Sequence, residues 1–248
     1  YEIPLRLVGS EMCIRDRGDM SGETWFQLGD KDLATHIQRT HLINSGLSLT
    51  EATHNLCASF KLHKNIFPMS NQPVETYIQT KNRLLSFQEY FVKLKCEPPV
   101  TDFVFKGLDK AKFNQDLELS RYDEIIVCPS NPYVSINPML QLSTLSEHLQ
   151  DFSEKVTVIS PIVNAKSLKG PTAKMMTELG LPSSALAVSE HYCDLLDGII
   201  IDEVDRQQAA DIAELGMKVR VSQTVMRTLE DRKGLAQICC DFAKEIAS

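Results

Sequence analysis

Three short segments carry side chains that could do chemistry. In Lys169-Gly-Pro-Thr-Ala-Lys174, Gly170 permits close backbone approach, Pro171 pre-sets the first turn of a helix, and two lysines flank that start. A phosphate is held in this way, by opening amides and nearby cations. A solvated basic loop fits the same residues. Ser130 and Asn131 stand between Pro129 and Pro132, a stiff loop that offers a hydroxyl and an amide to a phosphate or a sugar hydroxyl. A plain turn accounts for them at least as well, because Pro, Ser and Asn are ordinary turn formers. The third segment is Gly29-Asp-Lys-Asp32. Its two acids could hold Mg²⁺ while Lys31 meets a polyphosphate or a ligand carbonyl; the competing assignment makes Asp32 a helix N-cap and Asp30 a surface acid.

Other candidates are weaker. His36 and His41 are five residues apart, the wrong spacing for one helical face and hence for a metal pair. His191 and Asp194 could couple, but neither adjoins a nucleophile, so a core or interface histidine is expected. No G-x-G-x-x-G, Walker A or G-x-S-x-G pattern occurs, which disfavours standard dinucleotide, P-loop and α/β-hydrolase chemistry.

Composition narrows the partners. Against 33 Asp and Glu stand 26 Lys and Arg, a net charge of −7 over 248 residues, with no cluster of basic residues longer than a pair or so. Nucleic acid and anionic membrane surfaces are therefore not expected as partners. No window approaches the roughly 18 uninterrupted apolar residues that a membrane-spanning helix needs. The seven cysteines form no C-x-x-C pair, and most lie among apolar neighbours; the reading is of buried, inert thiols in a reducing cytoplasm.

The elements that must position these residues follow from periodicity. An extended piece is expected at 24–28 and a helix at 32–45. Ser48 and Glu51 form a capping box that opens a helix to about Phe60, and Ser86 with Glu89 repeats the pattern ahead of a helix through Lys95. Residues 74–80 and 100–106 alternate as strands do. The runs 124–128, 155–160, 198–202 and 217–221 are short, β-branched and continuously apolar, with helical stretches between them. Such strands belong to a parallel sheet covered on both faces, hence a doubly wound, mostly parallel, Rossmann-like α/β fold with a helical and extended insertion in its first half. The last helix, 231–247, carries Leu235, Ile238, Phe242 and Ile246 as a core face. Ligands in such folds sit beyond the carboxyl ends of the strands. The loops at 128–132, 160–174 and 203–206 are expected to meet there.

Read together, several stretches resemble the 2-phospho-L-lactate transferase family, which makes the phosphate link of the deazaflavin coenzyme F420. They are 28–36, 46–53, 67–74, 87–92, 128–138, 160–163, 169–176 and 191–198, in the family's order. The resemblance implies a Mg²⁺-dependent transferase, cytoplasmic and homodimeric. A guanosine diphosphate-activated three-carbon acid, phospholactyl or phosphoenolpyruvyl, gives its phospho-acid to the ribityl hydroxyl of the deazaflavin precursor Fo, and GMP leaves. It further implies that Lys31 contacts Fo with Asp30 and Asp32 beside it, and that Ser130, Asn131, Lys169, Gly170 and Lys174 form the guanosine nucleotide side. It assigns no metal ligand and no catalytic acid to residues present here.

The front of the chain departs from the family. Residues 1–17 resemble translated sequencing-adaptor sequence and are read as a non-native tail, with residues 18–248 as a single α/β transferase domain. Family members begin with a strand, a glycine-rich loop and acidic segments that serve Fo, Mg²⁺ and phosphate, none of which stands in these residues. The expectation is therefore a truncated product lacking its first strand or strands, which does not turn over by itself. The alternative, from another class, is a nucleotide-sugar-binding regulator of the gluconeogenesis or morphogenesis factor type, without transferase activity; Ser130 to Pro138 suits its phosphate loop, whereas 28–32 and 169–176 suit the transferase better.

Overall fold

The computed structural model describes residues 29–63, 65–142, 145 and 156–247. The tail 1–17 and the extended piece expected at 24–28 lie outside the described residues. Helix α1 (Asp30–Asn44) and helix α2 (Leu49–Ser59) pack on each other. The capping box of α2 is complete: Ser48 Oγ accepts from the Glu51 amide at 3.2 Å and Glu51 Oε2 accepts from the Ser48 amide at 2.7 Å. The bonds that the Glu51 carboxylate accepts from the Ser48 amide and hydroxyl hold it below its ordinary pKa.

Strands β1 (Glu75–Thr80), β2 (Leu84–Ser86) and β3 (Val100–Lys106) form an antiparallel sheet in the order β2-β1-β3. Its inner face sets Ile78, Leu85 and Phe103 against Tyr90, Val100 and Met175. The segment opened by Ser86 differs from expectation. Ser86 Oγ does accept from the Glu89 amide at 3.2 Å, yet the Glu89 carboxylate lies 3.7 Å from Arg83 and the backbone winds as a π turn over Glu89–Lys93. Phe87 and Phe91 stack at 5.5 Å and pack on the inner-face core. Tertiary packing here overrides the local helix signal.

The second half forms the parallel sheet. Strands β4 (Ile125–Val127), β5 (Val156–Ile159), β8 (Gly198–Asp202) and β9 (Lys218–Ser222) lie in the order β4-β5-β8-β9, all parallel. Between β5 and β8 come a hairpin, β6 (Ile162–Val163) and β7 (Lys166–Ser167), and then α4 (Thr172–Glu178) and α5 (Ala185–Tyr192). The sequence reads as loop over 160–174, whereas the segment holds this hairpin. Its turn puts Asn164 and Ala165 at φ 51° and 57°, the left-handed pair that a two-residue hairpin turn requires. After β4 the chain makes a π turn at Pro132–Ile136 and the short helix α3 (Asn137–Leu140); α6 (Ala209–Glu214) joins β8 to β9, and α7 (Leu229–Ala247) ends the described chain.

Strand alternation feeds two cores. Val156, Val158, Ile199 and Ile201 face one side with Val188, Tyr192 and Ile212 from α5 and α6. Ile159 and Ile200 face the other, beneath Leu235, Cys239, Phe242 and Ile246 of α7. Both middle strands are buried throughout, which explains their continuous apolar sequences. Among the described residues no helix is long and apolar enough to cross a membrane.

Two positions on the α7 side yield stability tests. A Cβ on Gly198 would stand 2.1 Å from Ile246 Cδ1 and 3.1 Å from the Phe242 ring. Gly198→Ala should therefore cost about 1–3 kcal/mol in denaturant unfolding, and adding Ile246→Val, which removes the nearer atom, should return part of it. Thr157 is fully buried and its Oγ1 has no hydrogen-bond partner. An unpaired buried hydroxyl is costly, so Thr157→Val should raise stability by about 1 kcal/mol in the same measurement; a loss would show that the hydroxyl is satisfied.

Candidate functional site

The loops after β4, β5 and β9 converge on a cavity of 340 Å³ at the carboxyl edge of the parallel sheet. Pro129, Ser130 and Asn131 line it from β4, Ser160, Pro161 and Val163 from β5, and Thr224, Val225 and Met226 from β9. Leu168, Lys169 and Thr172 enter from the β7–α4 connection, and Arg232 from the first turn of α7. This is the place where doubly wound sheets hold ligands, and the volume lies at the lower end of the range for small-molecule sites.

Much of the polar lining is already engaged in building the wall. Asn131 Oδ1 accepts from the amides of Tyr133 and Val134, at 2.9 and 3.3 Å, capping the π turn, while its Nδ2 donates to Met175 Sδ at 3.3 Å. Ser160 Oγ donates to the Ile162 carbonyl and accepts from its amide. Thr224 donates both its amide and its Oγ1 hydrogen to Asp202 Oδ2, each at 2.9 Å, and Asp202 Oδ1 accepts from the Val204 amide. Asp202, 5% exposed, thus ties the end of β8 to the segment after β9. What remains to meet a ligand is the hydroxyls of Ser130 and Thr172 and the charges of Lys169 and Arg232. Apolar contact comes from Val163, Leu168, Val225 and Met226.

The structure brings Ser130, Asn131 and Lys169 together but not the whole expected set. Gly170 is adjacent, at φ 69°, with its carbonyl accepting from Ser167 Oγ at 2.8 Å. Lys174 is the third residue of α4 and is not part of the lining: its ammonium bonds Glu178 and the Pro98 carbonyl. Glu178 in turn accepts from the Val100 amide at 3.0 Å, so the pair fastens α4 to the start of β3. Asp30, Lys31 and Asp32 sit on the first turn of α1, none of them on the cavity. Two residues apart on a helix, the two carboxylates do not share a face. The 203–206 loop does not line the cavity either. Its Asp205 turns inward, 2% exposed, to accept from the Asn164 amide at 2.9 Å and from Gln208 Nε2 at 3.1 Å.

His191 fills a structural role, bonded to Asn137 Oδ1 at 2.9 Å with its ring against Tyr133 and Tyr192. Burial holds it below the ordinary imidazole pKa. Sequence reasoning missed Thr172, the 224–226 segment and Arg232. The alternation of strand and helix could have flagged the loop after 217–221, as it flagged the other three. Arg232 carries no local signal, since it looks like any exposed residue opening a helix.

The described residues do not fit a protein-held Mg²⁺: among them the cavity lining has no carboxylate, and no three of His, Cys, Asp or Glu cluster as metal ligands. Hydroxyls and cations suit an anion instead.

Comparison with known proteins completes the picture. Among solved structures, protein BH3568 from Bacillus halodurans, also described as a member of the UPF0052 family, aligns with a TM-score of 0.57 at 11% identity, covering 82% of this chain and 70% of that one; the likeness is one of fold. The 2-phospho-L-lactate transferase of Methanosarcina mazei is 35% identical over 218 residues, 87% of this chain and 71% of the relative. The phosphoenolpyruvate transferase of Streptomyces coelicolor is 33% identical over 232 residues, 91% and 73% of the two chains. Residues 14–238 match the family model described as 2-phospho-L-lactate transferase CofD, and the chain belongs to that family.

Proposed function

We propose that this chain transfers a three-carbon phospho-acid from a guanosine diphosphate-linked donor to the deazaflavin Fo, releasing GMP, in coenzyme F420 biosynthesis. The observation that carries the reading is the carboxyl-edge cavity of a CofD-family chain, in which the side-chain polar groups left without a partner among the described residues are two cations and two hydroxyls. A diphosphate needs such groups, because its negative charge must be balanced where water is partly excluded. The relatives' names include both phospholactate and phosphoenolpyruvate transferases, and the three-carbon acid is either of these.

In this reaction the ribityl hydroxyl oxygen of Fo forms a bond to the phosphorus that bears the acid. The bond from that phosphorus to the bridging oxygen breaks, GMP departs with that oxygen, and the hydroxyl proton passes to a base. The donor's phosphates lie against Lys169, Ser130 and Thr172, and its apolar portion against Leu168, Val225 and Met226. Lys31, flanked by Asp30 and Asp32, is kept for the acceptor. Mg²⁺ in this reading would be carried by the donor and would neutralise part of its phosphate charge. The working state is a cytoplasmic homodimer.

Titration calorimetry with GDP tests the donor side: one saturable site, weakened about tenfold or more by Lys169→Ala and unmoved by Lys31→Ala. The acceptor side is read in this chain joined to a family amino-terminal segment, where GMP release should require both Fo and donor. There Lys31→Ala should raise KM for Fo about tenfold at constant donor KM. Absence of GDP binding, or GMP release indifferent to Fo, would overturn the assignment.

A further inference from the structure

Arg232 is the one lining residue that brings a full charge to the cavity from α7. The acids beside it are engaged elsewhere: Glu230 pairs with Lys233 at 2.8 Å, and Asp231 Oδ2 accepts from the amides of Arg227 and Thr228 at 2.8 and 2.7 Å. With the Asp231 amide donating to Thr228 Oγ1 at 3.1 Å, these bonds form a capping box at the start of α7. Lys169, reaching in from the β7–α4 connection, likewise has no ion-pair or hydrogen-bond partner among the described residues, and none of those residues that line the cavity is a carboxylate. Two cations on different elements thus line one small space with no counter-ion among the described residues.

Their chemistry is complementary. An ammonium is a compact point charge, whereas a guanidinium presents a planar fork that can take two oxygens of one phosphoryl group. An anion with two linked phosphoryl groups can engage both side chains at once, and a single phosphoryl group can fully satisfy only one.

The geometry points to Lys169 and Arg232 as the two arms of a diphosphate clamp, with Arg232 the residue that discriminates a diphosphate ligand from a monophosphate. The inference rests on the proposed function and deepens it. When the acceptor oxygen has bonded to one phosphorus and the bridging oxygen has left with the other, the two phosphoryl groups are no longer joined. The departing nucleoside monophosphate then holds one arm only, so cleavage itself loosens the product.

The test is calorimetric, on the full chain at constant ionic strength, with inorganic pyrophosphate and orthophosphate as probes. The unsubstituted chain should bind pyrophosphate at least about tenfold more tightly. Arg232→Gln should weaken pyrophosphate about tenfold or more while moving orthophosphate less than about threefold, Lys169→Gln should erode the preference from the other arm, and Arg232→Lys should restore part of it. Arg227→Ala, just outside the cavity, should leave both affinities alone. Circular dichroism and thermal melts of each variant separate lost binding from lost fold. Equal affinity for the two anions in the unsubstituted chain overturns the clamp, as does an Arg232→Gln variant that keeps the preference or loses both anions alike. Neither probe is a donor, so an intact clamp together with no GMP release from the chain joined to a family amino-terminal segment would refute the transferase reading and leave this one standing.

Discussion

Helix α7 meets the parallel sheet where there is room for no side chain at all. Gly198 opens β8 directly beneath Ile246 and Phe242, and a single added carbon there would fall within 2.1 Å of the helix's side chains. That close approach fixes the height of α7 over β5 and β8. The same end is fastened by polar contacts as well: Lys218 donates to the Glu245 carbonyl and Arg220 pairs with the Glu245 carboxylate, which ties the helix to the start of β9. Seated at the amino edge of the sheet, α7 runs back toward the carboxyl edge. The 14 residues from Ile246 to Arg232 span about 21 Å at the rise of an α-helix, and so a packing constraint at one edge delivers a guanidinium to the cavity at the other.

The opposite side of the cavity is set by buried hydrogen bonds rather than apolar contact. Asp202 and Asn131 each place their acceptor oxygens on backbone amides of the loops that form the wall. Their polarity therefore does not mark them as ligand groups. An amide left without its acceptor in such a place would be costly, and satisfying it leaves the loops rigid with their remaining polar groups facing inward. The free groups are few because so many have been used to hold the shape.

The antiparallel sheet joins this frame through α4. Met175 and Phe103 pack in its core, and the Lys174–Glu178 pair bonds the start of β3 at Pro98 and Val100. A lysine that looks in the sequence like a phosphate ligand is thus an attachment between two halves of the molecule. The reason is its depth in the helix: Lys169 precedes α4 and reaches the cavity, whereas Lys174 lies within it, four residues before its Glu178 partner.

Local sequence determined what depends on neighbours along the chain. The four continuous β-branched runs became the parallel strands, the alternating 74–80 and 100–106 segments became an antiparallel pair, and Ser48 with Glu51 closed its capping box, because strand pleat, helix turn and cap all repeat over a few residues. The motifs also carried the family, which the comparisons bear out. What tertiary structure decided was which polar groups remain free. Ser130 and Asn131 are adjacent, yet the first keeps an open hydroxyl while the second is bound into a turn. Asp205, Lys174 and Arg232 look equally exposed in sequence, but one is buried under the β6–β7 turn, one is paired across to β3, and one faces the cavity. The turn at Asn131 is local, but Asp205 and Lys174 are settled by Asn164 and Pro98, tens of residues away, and the sequence around each holds no record of which amide or carbonyl folding will bring near.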